Sequence, residues 1–259
     1  MSRRFTGPSE ADEPSLSESE GIRYLHFGTE WVQGAMRVSK PADLVLTYTA
    51  QMMAWLLFLA PRQDDTVAVL GLGAGSLTRF CLKHLPAEVV TVEWNPRVTA
   101  ICQMYFRLPG LDRAPVMHAD AAEWVADPAQ AGTARAMMVD LYDADARGPV
   151  RDSVAFYRDC RRTLTEEAGV LAVNLFGNHE SFPRNIDNLH KALDDRVVVL
   201  PEIDEGNRIA LAFTGARLVL TADMLLTRAE IVQTRYGLPA LRWAKSLLGH
   251  ATTEGDLHF

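Results

Sequence analysis

The chain has 259 residues, enough for one α/β domain built on a single large sheet. Its formal net charge of −7, from 33 acids against 26 Lys and Arg, lacks the basic stripe that nucleic-acid binding requires and suits a cationic partner. The longest apolar stretch, MMAWLLFLA at 52–60, is far too short to span a bilayer, and Cys81, Cys102 and Cys160 are too widely spaced for a disulfide framework or a zinc site.

Residues 1–20 are rich in Ser, Pro and acids and have no apolar core of a signal peptide, which predicts a disordered tail on a cytoplasmic protein. Residues 21–40 carry two short alternating, aromatic runs broken at Gly28-Thr29, which predicts a small β-hairpin region. The main domain is expected over 41–215. It opens with a helix in ADLVLTYTAQMMAWLLFLA, where Leu44, Tyr48, Met52 and Trp55 share one core-facing stripe, Asp43 sits in the first turn and Pro61 follows the end.

Strands and helices then alternate. Strands are predicted at 66–72, 88–94, 114–119, 134–142 and 169–176, with helices starting at Ser76, Pro96 and within 151–167 and 181–193, and a short crossover at 120–133. The last two strands, 196–200 and 208–215, are separated by only a few residues around Glu205-Gly206-Asn207 and must run antiparallel. Seven strands with the seventh reversed describe the Rossmann-like sheet of class I S-adenosylmethionine-dependent methyltransferases. Residues 216–259 form a C-terminal helical extension, two amphipathic segments divided at Gly237-Leu238-Pro239, with packing or contact to a second copy as its expected role.

The stretch AVLGLGAGSLTRF at 68–80 places Gly71, Gly73 and Gly75 at alternate positions between a strand and a helix, where backbone N–H groups can approach a nucleotide. A dinucleotide fingerprint would have its third glycine at position 76, which is Ser76. Glu93 ends the second strand, where a carboxylate can accept from both ribose hydroxyls, and Asp120 follows the third. Together these predict an adenosine-type ligand; NAD stays open, because Glu93 would serve its ribose equally well. Asp140, Asp143 and Asp145 follow the fourth strand at the ligand-binding edge, a negative cluster able to attract an amine and take its proton.

With those residues in place the chain resembles the spermidine synthase (polyamine aminopropyltransferase) family over about residues 22–214. VLGLGAGS is similar to the family's G-G-G-D-G-G loop, VTVEWNP to its V-E-I-D segment, HADAAEWV to G-D-A-x-x-F, MMVDLYDADARGP to D-x-x-D-P, and LPEIDEGNRIALAF to the P-T-Y-P-x-G strand pair. The resemblance implies that Glu93 holds the ribose of decarboxylated S-adenosylmethionine or methylthioadenosine and that Asp120 with Ala121 faces the adenine. It also implies that Asp140 deprotonates an amine acceptor, that Asp143 and Gln51 bind it, that no metal is needed, and that the protein is a homodimer. Ala74 replaces the family's loop aspartate, Ala50 a tyrosine before Gln51, and Ile203 the tyrosine of P-T-Y-P.

Two other readings follow from those departures: a methyltransferase using intact S-adenosylmethionine, with Arg79 as the nearest cation for its carboxylate, and a non-catalytic nucleoside-binding or dimerising homologue. His118 is a possible liner of the adenine pocket or a satisfied buried histidine, Trp94 a cover for adenine or a packing residue, and 174–182 a lid over the acceptor.

Overall fold

The computed structural model describes residues 13–29, 31–142, 150–203, 206–249 and 256–258. Its centre is a seven-stranded sheet of β4 (Thr66–Leu70), β5 (Glu88–Val92), β6 (Val116–Met117), β7 (Ala136–Val139), β8 (Val170–Phe176), β9 (Val197–Val199) and β10 (Asn207–Phe213). The spatial order is β6-β5-β4-β7-β8-β10-β9, and β10 runs antiparallel to both its neighbours, as the short 200–207 connection demands.

The inner strands are apolar on both faces, which is why they read as continuous runs rather than alternating ones. Val67, Val69 and Met138 enter one core with Leu77 and Phe80 of α2 (Ser76–His84) and the helices α7 (Ala222–Tyr236) and α8 (Ala240–Leu248). Ala68, Leu70, Met137 and Val139 enter the other, under α4 (Ala121–Ala126), α5 (Val154–Thr163) and α6 (Phe182–Ala192). A third cluster joins α3 (Pro96–Tyr105) to the N-terminal strands through Leu25, Met36, Ile101 and Phe106. The N-terminus of α3 is set by Asn95, whose Oδ1 accepts the Arg97 N–H at 3.0 Å, with Pro96 in the first turn.

The structure corrects three expectations about elements. Part of the expected tail, Pro14–Ser19, is strand β1, paired with β2 (Ile22–Phe27), which pairs in turn with β3 (Gly34–Arg37); the hairpin region is a three-stranded sheet, and residues 1–12 lie outside the described residues. The long helix of 42–60 is a short α1 (Thr47–Met52) followed by a 3₁₀ segment, Met53–Leu57; Asp43 does not cap it, since the N-cap is Leu46 without a side-chain bond. The C-terminal extension also contains β11 (Val219–Thr221), paired with β12 (Asp256–His258), beside the two helices split at 237–239. Among the described residues no helix is long and apolar enough to cross a membrane. The three cysteines are free and buried.

Candidate functional site

At the carboxyl edge of the sheet lies a cavity of about 720 Å³. Gly71, Gly73, Glu93, Asp120, Ala121 and Asp140 all line it, so the nucleoside signals and the acid after β7 converge on one space. Gly71 has φ +95°, and a Cβ there would stand 2.2 Å from the Asp140 carbonyl oxygen. Glycine at 71 is thus what lets the turn after β4 lie against the end of β7. Gly75 does not line the cavity; it caps α2 at φ +73°.

Glu93 is 6% exposed, and its carboxylate is held by backbone: Oε2 accepts the Leu72 N–H at 3.1 Å and Oε1 the Asn95 N–H at 2.8 Å. Burial pushes its pKa up, and the N–H groups of Asn95, Leu72 and Trp94 pull it back. Each carboxylate oxygen has more than one acceptor site, so these bonds fix the group while leaving capacity for two vicinal hydroxyls. Asp120 N-caps α4 by accepting the Ala122 N–H at 2.8 Å and is ion-paired with Arg151, an arginine on the cavity wall that the sequence reading did not single out. Trp94 also lines the cavity.

Asp140 stands at the junction of the two halves of the sheet. Its Oδ1 accepts from Asn174 Nδ2 at 2.9 Å and its Oδ2 from the Tyr48 hydroxyl at 3.2 Å. Asn174 is oriented in turn by Asn207, whose Nδ2 donates to Asn174 Oδ1 at 2.9 Å, while the Tyr142 hydroxyl donates to the Asn174 carbonyl at 3.0 Å. The carboxyl touches the cavity yet lies deep among protein atoms. Desolvation raises its pKa, and the bonds from Asn174 and Tyr48 lower it again. An acid poised in this way, on a wall where an amine can approach, is suited to accept a proton.

Several expected residues are placed elsewhere. Gln51 is buried with Nε2 on the Pro201 carbonyl at 3.1 Å and is not among the cavity-lining residues, because its side chain ties α1 to the segment after β9. Asp143 and Asp145 lie in 143–149, outside the described residues. Arg79 is neither a solvated charge nor a ligand group: it is 4% exposed, donates to the carbonyls of Ala74 and Pro41, and burial lowers its pKa to about 10. His118 is exposed and bonded to Thr99, away from the cavity. Tyr48, expected in the core stripe, packs against that core but turns its hydroxyl to Asp140.

Ala74 is buried against β3: a Cβ added at Gly34 would meet the Ala74 Cβ at 2.5 Å, so this position of the glycine turn faces the N-terminal sheet. The β2–β3 connection in turn supplies Phe27, Trp31, Val32 and Gln33 to the cavity rim. Asn174 was legible in principle as a polar residue inside the apolar run VLAVNLF, and Asn207 as the polar start of the next strand. What no linear pattern carries is that they touch.

No protein-family model matches the chain. A polyamine aminopropyltransferase of Chromobacterium violaceum is 34% identical over 230 residues, covering 87% of this chain and 85% of that protein. The chain belongs to the polyamine aminopropyltransferase family. The fold of this family member is similar to that of a probable spermidine synthase from Corynebacterium glutamicum, with a TM-score of 0.70, 16% identity, and 95% of this chain and 86% of that one covered. It is also similar to that of human methyltransferase-like protein 13 in complex with SAH, with a TM-score of 0.63, 22% identity, and 75% and 94% covered. The sheet order and the reversed β10 thus belong to an aminopropyltransferase-family chain on a methyltransferase-type fold.

Proposed function

We propose that the protein transfers the aminopropyl group of decarboxylated S-adenosylmethionine to an amine, releasing methylthioadenosine. The charge balance of the cavity carries this reading. Among the described residues that line it, three are acids, Glu93, Asp120 and Asp140, and one is permanently cationic, Arg151, which is paired with Asp120. A donor bearing a sulfonium and an ammonium matches that excess of negative charge. Intact S-adenosylmethionine adds a carboxylate that would have to compete for the arginine already on Asp120.

In this reading Glu93 takes the ribose hydroxyls, the Gly71–Gly73 turn lies against the nucleoside, and Asp120 with Ala121 borders the adenine. The acceptor amine reaches Asp140 as its ammonium and loses a proton to the carboxylate, which frees the nitrogen lone pair. That lone pair attacks the methylene carbon next to sulfur. The carbon–sulfur bond breaks, its electrons go to the sulfonium, and a neutral thioether leaves.

A specific observation favours a second reading, methyl transfer to an amine: the likeness in fold to a methyltransferase-like protein in complex with SAH. The same Asp140 would serve, with a methyl carbon in place of the methylene. Incubation with each donor and an amine panel separates the two. Methylthioadenosine from the decarboxylated donor supports aminopropyl transfer; S-adenosylhomocysteine from the intact donor would replace it with the second reading.

A further inference from the structure

The sheet order divides the cavity in two. Glu93 follows β5, and Asp120 and Ala121 follow β6, on one side of the Gly71 turn; Asn174 and Phe176 lie on β8, His179 follows it and Asn207 opens β10, on the other. Asp140, after β7, stands between them, so the nucleoside occupies the β5–β6 side and the acceptor the β8–β10 side. On that side, among the described lining residues, Asp140 is the sole carboxylate, and the reacting nitrogen occupies it. The rest of the wall is amide, imidazole and apolar surface from Phe176, Leu46, Trp31 and Val32.

His179 adds a sign to that wall. The backbone N–H of Ser181 donates to its Nδ1 at 3.2 Å, and the Ser181 Oγ lies 2.8 Å from the same nitrogen. Asn185 Nδ2 donates to Ser181 Oγ at 3.2 Å, which turns the serine proton toward the ring. Nδ1 is therefore an acceptor, the tautomer places the hydrogen on Nε2, and no partner for Nε2 is recorded among the described residues. The ring offers the acceptor half a donor, which repels an ammonium and bonds an oxygen.

We infer that the acceptor is a primary amine whose far end is an uncharged hydrogen-bond acceptor, such as an amino alcohol, with His179 as the residue that selects against an α,ω-diamine. The inference rests on the amine-transfer reading above. The charge count agrees with it: Glu93 and Asp140, the acids not held by Arg151, already match a doubly cationic donor, and a second ammonium on the acceptor finds no further carboxylate among the described lining residues.

The test uses a matched pair of acceptors, 4-aminobutan-1-ol and butane-1,4-diamine, which differ only in the terminal group, with methylthioadenosine release as the readout. The wild-type protein is expected to favour the amino alcohol in kcat/KM by about tenfold or more, the scale on which a hydrogen-bonding site rejects a mismatched group. His179→Glu, which replaces the donor by a carboxylate, is expected to reverse the order by raising KM for the alcohol and lowering it for the diamine. A wild-type preference for the diamine, or an unchanged order in H179E, overturns this inference and leaves aminopropyl transfer standing. Failure to consume any amine with either donor overturns both.

Discussion

The two halves of the cavity are built on opposite plans. On the β5–β6 side each polar group is anchored to nearby chain: Glu93 to the backbone N–H groups of Leu72 and Asn95, Asp120 to its own helix N-terminus. On the β8–β10 side the polar groups anchor one another across strands, in the series Asn207, Asn174, Asp140 and Tyr48, drawn from four separate elements. A site anchored to its own backbone forms when its turn forms. A site anchored through side chains exists only when the whole sheet and α1 are assembled, so a single deletion propagates along it.

The sharpest way to break this contrast is at Asp140. Asp140→Asn is expected to lower kcat by about 10²–10⁴, the range for loss of a positioned general base, while calorimetry with methylthioadenosine shows affinity within about threefold of wild type. Unchanged turnover would remove Asp140 from the chemistry. The same variant should melt higher. Because the folded-state pKa of Asp140 is raised, the folded protein binds more protons than the unfolded chain, and stability falls as pH rises through the interval between the two pKa values. Above that interval the cost of the buried charge is fully present, and a neutral amide removes it; a gain of about 1 kcal/mol would raise the melting temperature by ~2–4 °C for a chain of this size.

Glu93→Gln should have the converse profile. Loss of charge-assisted bonds to the ribose is expected to weaken methylthioadenosine binding by about 10- to 100-fold, from ~1.5–3 kcal/mol for a hydrogen bond to a charged group. With saturating donor, kcat should change little. A variant that binds the nucleoside as tightly as wild type would mean that this carboxylate serves only the Leu72 and Asn95 turns.

The same contrast explains what the linear chain disclosed. The glycine turn, Glu93, Asp120 and Asp140 each end a strand or open a helix, and strand ends at one sheet edge converge by topology alone; their meeting follows from the β-α alternation. Gln51 failed because a position in a helix does not say which face the helix will turn, and it turned to Pro201. Tyr48 failed in the opposite sense. Its helical spacing matched the core stripe, but α1 is only one turn and a half before the 3₁₀ segment, and the hydroxyl reaches past the core to Asp140. Asn174 and Asn207 are not register partners, since Asn207 pairs with Phe176 and Asn174 with Ile209, so their contact is diagonal and depends on side-chain reach.

A smaller effect tests the cross-strand series at its far end. Asn207→Leu keeps volume near the site but withdraws the donor that orients Asn174, which is then free to rotate its Nδ2 away from Asp140. The expected loss is about five- to tenfold in kcat, corresponding to ~1–1.4 kcal/mol for one hydrogen bond, with methylthioadenosine affinity unaltered. An equal loss of nucleoside affinity would show that the two halves are not separately anchored.

The smallest change is Tyr48→Phe, and its direction is the informative part. The hydroxyl donates to the ionised form of Asp140, so it favours that form and holds the pKa down against the desolvation that raises it. Without the hydroxyl the pKa climbs further above the ordinary carboxylate range. The base must be ionised to take a proton, so the acid limb of the kcat/KM profile should move to higher pH, with the high-pH plateau reduced only slightly. The amine substrate is the same for both proteins, and its own ionisation therefore cancels in the comparison of limbs. A limb that stays in place would mean that Tyr48 only packs against the core, and a limb that moves to lower pH would mean that the hydroxyl accepts from a protonated Asp140, reversing the direction of the bond and with it the role of the acid.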